Sequence, residues 1–165
     1  MPSTVVNIPN DAFTGCSNLV SVNIPPTVTN IGNNSFADCG KLSSIDIQSV
    51  SSVGDESFKG CTDLNVISVS NTLASIGDGA FDDTKYFDEL PDDSLIIIGG
   101  VAYKVKGECS GEITIRDGVV TISKNAFYNQ TKLSSITIPA SVNAIGDYAF
   151  KGCTAISSIT IPNGV

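Results

Sequence analysis

Leu133-Ser134-Ser135-Ile136-Thr137-Ile138-Pro139-Ala140-Ser141-Val142-Asn143-Ala144-Ile145-Gly146-Asp147-Tyr148-Ala149-Phe150-Lys151-Gly152-Cys153 decides the fold, because its apolar skeleton recurs through the chain. Leu42-x-x-Ile45-x-Ile47 is followed by Val50, Val53-Gly54, Ser57-Phe58 and Cys61. Leu19-x-x-Val22-x-Ile24-Pro25 is followed by Val28, Ile31-Gly32, Ser35-Phe36 and Cys39. Phe marks the period at Phe13, Phe36, Phe58, Phe81, Phe127 and Phe150, with spacings of 23, 22, 23, 46 and 23. The long gap is two periods, so one unit has lost its Phe. Such self-similarity is the mark of a repeat architecture and outranks any residue-level reading.

The physics of one unit is readable. Leu-x-x-Ile-x-Ile ends in alternating apolar residues, which suits a short strand. Pro after the last Ile stops it, since Pro cannot donate to a ladder. Val and Ile-Gly then turn the chain around the core, and Ala-Phe-x-x-Cys has helical or 3₁₀ spacing with Phe inward. One unit cannot bury its apolar face alone, so neighbours must stack. The expectation is a β-rich repeat solenoid with one parallel sheet, short helical or irregular convex turns, and strands about 4.8 Å apart.

The arrangement Leu-x-x-Ile-x-Ile-Pro-x-x-Val-x-x-Ile-Gly-x-x-Ala-Phe-x-x-Cys resembles the BspA-type (Treponema pallidum-type) leucine-rich repeats over nearly the whole chain. The Asn that usually follows the strand in leucine-rich repeats is missing; Thr27, Ser49, Thr72 and Ser141 fall near its place. Residues 1–86 form a first block of repeats and residues 110–165 a second, read as a single continuous solenoid. Residues 87–109 do not fit the repeat. There Leu95-Ile96-Ile97-Ile98, Gly99-Gly100 and Val101-Ala102-Tyr103-Lys104-Val105-Lys106 predict a β-hairpin, two glycines suiting a tight turn. Members of the resembled family often carry such a Tyr/Lys hairpin between blocks. Neither end has a polar cap, which reads as a fragment of a longer array.

Composition excludes several functions. The 165 residues carry 17 acidic and 9 basic side chains, a net charge of −8, and no basic cluster, which argues against nucleic acid. With no His, Ser-His-Asp and Cys-His hydrolases and His-ligated zinc are removed together. No apolar run approaches a membrane span. Met1 to Val5 has no basic or apolar leader region, so no secretory signal is visible.

Four groups of residues remain as candidates. Cys16, Cys39, Cys61 and Cys153 occupy one repeat position, taken elsewhere by Thr84 and Gln130. A ladder at this spacing is unlike converging metal ligands and reads as small half-buried residues, although a disulfide between adjacent coils is geometrically conceivable. Cys109 stands outside the pattern and reads as an exposed thiol. Asp78, Asp82, Asp83, Asp88, Glu89, Asp92 and Asp93 form an acidic segment. It matches no calcium loop and reads as a solvated turn. The third group lies between the inward strand residues: Ser21, Asn23, Ser44, Asp46, Ser68, Thr114, Ser135, Thr137, Ser158 and Thr160. Alternation places these on the open strand face, the concave one in leucine-rich architecture. They are either a ligand-binding row or a solubilising surface. On the hairpin, Tyr103, Lys104 and Lys106 offer a second surface, or the hairpin is a bridge between blocks.

No cofactor, metal or catalytic group is expected, and the chain reads as a non-catalytic protein-binding module. The resemblance implies a surface-associated adhesin that engages host matrix or cell-surface proteins, hence a secreted or cell-surface location. The alternatives are an intracellular scaffold, to which the absence of a visible leader points, and a spacer module of a larger protein.

Overall fold

The computed structural model describes residues 4–165. The chain divides into two compact units, Met1–Leu90 and Pro91–Val165.

The first unit holds β1 (Asn7–Ile8), β2 (Asn30–Ile31), β3 (Ser44–Asp46), β4 (Ser52–Val53), β5 (Val66–Ser68), β6 (Ser75–Ile76) and one helical turn, α1 (Lys85–Asp88). The expected solenoid coils are present, and so are parallel strands, but in two ladders. The Leu-x-x-Ile-x-Ile run supplies β3 and β5, paired from Ser44 with Val66 to Asp46 with Ser68. The Ile-Gly position, read from sequence as a turn, supplies the longer ladder, β1-β2-β4-β6, all parallel. Residues 19–25 form no strand, and Pro25 and Pro26 remove two donors there.

The Ile-Gly ladder follows from close stacking. Ile8, Ile31, Val53 and Ile76 point into the core, none more than 3% exposed. The glycine that follows each of the last three lies against the backbone of the preceding coil. A Cβ on Gly54 would sit 2.6 Å from the Asn33 nitrogen, and one on Gly77 would sit 2.2 Å from the Asp55 nitrogen. Glycine is required here by approach, not by a left-handed φ. The backbone uses that approach: Gly54 N–H donates to Ile31 O and Gly77 N–H to Val53 O, each at 2.8 Å.

The repeat Phe residues stack as one column within this unit. Ring centroids of Phe13 and Phe36 are 5.0 Å apart, those of Phe36 and Phe58 5.4 Å, and those of Phe58 and Phe81 5.4 Å, with planes within 9° of parallel. Each coil also passes its Phe amide to the next, Phe36 N–H to Ser57 O and Phe58 N–H to Ala80 O at 2.8 Å. Two residues after each Phe the chain enters the left-handed region, at Gly15, Asp38, Gly60 and Asp83. These are the residue types that tolerate it. Beyond Phe81, Thr84 caps α1 by accepting from Phe87 N–H at 3.1 Å, and Tyr86 meets the Phe81 ring edge-on.

The second unit begins with the hairpin. β7 (Ser94–Ile98) and β8 (Val101–Lys106) are antiparallel across Gly99-Gly100, as expected. β9 (Ser110–Thr114), β10 (Thr121–Ile122), β11 (Lys132–Thr137) and β12 (Ala144–Ile145) follow. β9 pairs parallel with β11, while β8 pairs parallel with β10 and β10 with β12. The insert is therefore in repeat register on its second strand. Val105 N–H donates to Ala126 O at 2.8 Å, the bond that Phe127 N–H makes to Ala149 O in the next coil. Gly107 then takes the left-handed place held by Asn129 and Gly152 after Phe127 and Phe150. Val105 is the missing Phe rung. Phe127 and Phe150 stack at 5.2 Å. Phe150, inward by its repeat position, is only half-buried, because Phe127 covers one of its faces and, among the described residues, no further ring covers the other.

Two substitutions test this packing by urea denaturation. Phe58→Ala should lower unfolding free energy by about 3–5 kcal/mol. Gly54→Ala, a smaller chemical change, should lower it by about 1–3 kcal/mol through overpacking. Unchanged midpoints would overturn the register described here.

Candidate interaction surface

The strand row is built from alternation. In β3, Ile45 is buried while Ser44 and Asp46 are exposed. In β5, Ser68 is half-buried. Thr114 in β9 lies opposite Thr137 in β11, both exposed, and Ser135 is half-buried. Ser21, Asn23, Ser158 and Thr160 are exposed, but on extended segments without strand pairing. Each unit has a groove beside its row. In the first, Ile24, Pro26, Asp46, Gln48 and Ser49 line a cavity of about 380 Å³. In the second, a cavity of about 450 Å³ reaches from Asp93 and Leu95 past Glu108 and Glu112 to Thr114. Carboxylates mark both.

The hairpin candidates behave differently. Tyr103 is 1% exposed, which removes it as a contact residue. It lies on β8, an inner ladder strand between β7 and β10 on which Val101, Ala102 and Val105 are also buried. The Lys104 ammonium lies 5.7 Å from the Tyr103 ring centroid. Lys106 pairs with Asp92 at 3.2 Å, its side chain only 16% exposed.

The acidic segment does not converge. Asp78 N–H donates to the Asp55 carboxylate at 2.8 Å, Glu89 faces Lys85 at 3.8 Å, and the Asp93 carboxylate accepts from Glu108 N–H at 2.9 Å. Among the described residues, no group of three or more His, Cys, Asp or Glu side chains is placed to hold a metal.

The repeat cysteines have a structural task. The Cys39 thiol donates to Phe13 O at 3.1 Å, Cys61 to Phe36 O at 3.1 Å, and Cys153 to Phe127 O at 2.9 Å. All five cysteines are free thiols. Cys16 is exposed, whereas Cys109, expected to be exposed, is 4% exposed. It sits in the buried core cluster of the second unit, and its backbone meets Gln130, which fills the cysteine position of the next coil. Gln130 accepts from Cys109 N–H at 2.8 Å and donates to Gly107 O at 3.1 Å. Burial pushes the thiols of Cys39, Cys109 and Cys153 up, and that of Cys61 to about 12.

Two further ladders escaped the sequence reading. Asn10 accepts from Asn33 N–H at 2.8 Å, Asn33 from Asp55 N–H at 2.9 Å, and Asp55 from Asp78 N–H. Its signal is the Asn or Asp after Gly32, Gly54 and Gly77. At the place of the missing Asn, hydroxyls bridge coils instead: Thr27 to Val5 O, Ser49 to Val28 O and Ser141 to Val119 O, at 2.7–3.0 Å.

The family described as BspA type leucine rich repeat region matches residues 1–107 and 86–165, with six copies of the repeat. The chain belongs to this family. It is a leucine-rich repeat module of the protein-interaction kind. Among solved structures, it is similar to a leucine-rich repeat protein of Treponema pallidum, at 22% identity and a TM-score of 0.48, covering 96% of this chain and 64% of that one. A leucine-rich repeat protein from Eubacterium ventriosum is 24% identical, with a TM-score of 0.45, covering 99% of this chain and 38% of the other. A leucine rich cell surface protein from Faecalibacterium prausnitzii is 25% identical, with a TM-score of 0.43, covering 94% and 51%. This chain thus spans less than two thirds of the length of these structures. Among curated proteins none matches the sequence. No helix among the described residues is long and apolar enough to cross a membrane.

Native-state alkylation followed by mass spectrometry should modify Cys16 and leave Cys39, Cys61 and Cys109 unmodified until the chain unfolds. The raised thiols also set a pH trend. The unfolded thiols ionise near 9 and the folded Cys61 only near 12. Their stabilising contribution is therefore complete below pH 9 and declines as pH rises towards 12. Cys61→Ala should flatten that alkaline decline in a denaturation series; an unaltered slope would contradict the assignment.

Proposed function

We propose that the chain is a non-catalytic adhesin module at a bacterial cell surface. It binds a protein of the host matrix or host cell surface along the strand row. The observation that carries this reading is the open strand face: Ser44 and Asp46 in the first unit, and Thr114 and Thr137 in the second, stand exposed on hydrogen-bonded strands with a groove beside them. A strand-held side chain needs little ordering on binding, which favours recognition by a rigid row over a mobile loop. Asp46, Asp93, Glu108 and Glu112 line the two grooves, and the whole chain carries a net charge of −8. The complementary partner surface is basic, and such charge raises the association rate at low salt. Family membership supports the surface role.

The test is binding of the purified chain to immobilised extracellular-matrix proteins. The variants are Ser44→Lys with Asp46→Lys, Thr114→Lys with Thr137→Lys, and Ala12→Lys as a charge control on the exposed Phe13 turn. Wild type and Ala12→Lys should bind alike and lose association rate as salt rises. The row variants should weaken binding by about tenfold or more, as truncation or reversal of an interface contact does. Equal binding by all variants would end the strand-row reading.

A further inference from the structure

A second surface of opposite character lies on the Phe turns of the second unit. Tyr128 and Tyr148 are 43% and 60% exposed, on a chain whose open strand face is made mainly of Ser, Thr, Asn and Asp. Lys151 sits with them, its ammonium 5.0 Å from the Tyr148 ring centroid and 5.7 Å from that of Tyr128. Repeat register produces this grouping. Lys151 follows Phe150 as Tyr128 follows Phe127, so the two stand on the same column of adjacent coils, and Asn129 N–H donates to Lys151 O at 2.8 Å.

Backbone conformation is a separate observation. Tyr148 has φ +59°, in the left-handed region, at a repeat position filled elsewhere by Asp11, Asn34, Glu56, Gly79 and Asn125. Asn, Asp and glycine suit that region best, Glu56 is the one longer side chain among these, and a bulky aromatic is the least suited. An exposed ring gains little burial in return. Strain held at an exposed side chain without a packing return marks a functional position.

We propose that Tyr128, Tyr148 and Lys151 form a docking site for an acidic peptide segment of a partner protein. The rings supply the rigid amphipathic contact area typical of protein-interface anchors. The ammonium, held against the ring faces by cation–π attraction, supplies the countercharge for a carboxylate. Charge on these two turns is locally positive, Lys124 and Lys151 against Asp147. At physiological salt the screening length is about 8 Å, so this local balance decides contact, not the net charge of the chain. The site uses different residues from the strand row and a partner segment of the opposite sign, so it stands or falls apart from that reading.

The experiment probes the whole chain with an array of Asp/Glu-rich twelve-residue peptides and their Asn/Gln counterparts. The tightest peptide is then titrated in solution by fluorescence polarisation, beside a uronate oligosaccharide of similar charge. Wild type should prefer acidic peptides to their amide counterparts. Tyr128→Ala and Lys151→Glu should each weaken binding by about tenfold, the scale of an interface anchor. Tyr148→Asn should weaken binding while raising the thermal midpoint by roughly 1–4 °C, because strain is relieved. That gain keeps the test independent of misfolding. The proposal is overturned if amide peptides bind equally, if Lys151→Glu binds like wild type, if Tyr148→Asn lowers the midpoint, or if the oligosaccharide binds and the peptides do not.

Discussion

Everything in this molecule depends on how closely one coil lies on the next. Backbone N–H groups at Gly54 and Gly77 reach carbonyls of the preceding coil at 2.8 Å, and that distance leaves no room for a Cβ. The other regularities follow from the same approach. Phe rings come within stacking range at 5.0–5.4 Å, Asn and Asp carboxamides and carboxylates reach the next amide, and thiols reach the preceding Phe carbonyl. A repeat of this kind has no large core of its own. Each coil borrows burial from its neighbours: Phe13 and Phe150 stack on one ring and are half-buried, while Phe36 and Phe58 lie between two rings and Phe81 between Phe58 and Tyr86, and none of these three is exposed.

Much of this was legible in the residues. Recurrent Phe, Ile-Gly and Cys located the coils, and Gly99-Gly100 located the hairpin. What was not legible has physical causes. Two-residue strands such as Asn30–Ile31 leave no alternation to detect, so the longer ladder hid inside what looked like a turn. Val105 was invisible as a Phe equivalent because its identity is set by a hydrogen bond to Ala126, not by volume. Cys109 looked like an outlier because the group that covers its backbone, Gln130, belongs to the next coil. On the candidate surface, alternation found Ser44, Asp46, Thr114 and Thr137 correctly on the open side. Tyr103 was offered as part of a hairpin surface, and it is buried on β8 between β7 and β10.

The cysteine position shows how one geometric demand admits several chemistries. The site requires a small group that satisfies a carbonyl or amide near the Phe turn. A thiol does so in three coils, the Thr84 hydroxyl donates to Phe81 O at 2.7 Å, and the Gln130 amide spans to Cys109 and Gly107. The recurrence of cysteine thus records a packing and hydrogen-bonding requirement, and the desolvated thiols are chemically quiet because the uncharged form suits their surroundings.

The second strand of the hairpin shows what an insertion must keep for the lattice to continue. Because β8 reproduces the bond of a Phe rung through Val105 and the left-handed step through Gly107, the coil that follows meets the same template it would meet after an ordinary repeat. The insertion is tied to the lattice on both strands, since Ile96 and Ile98 of β7 are buried as well as Val105 of β8, so the same core that holds the coils also holds the hairpin.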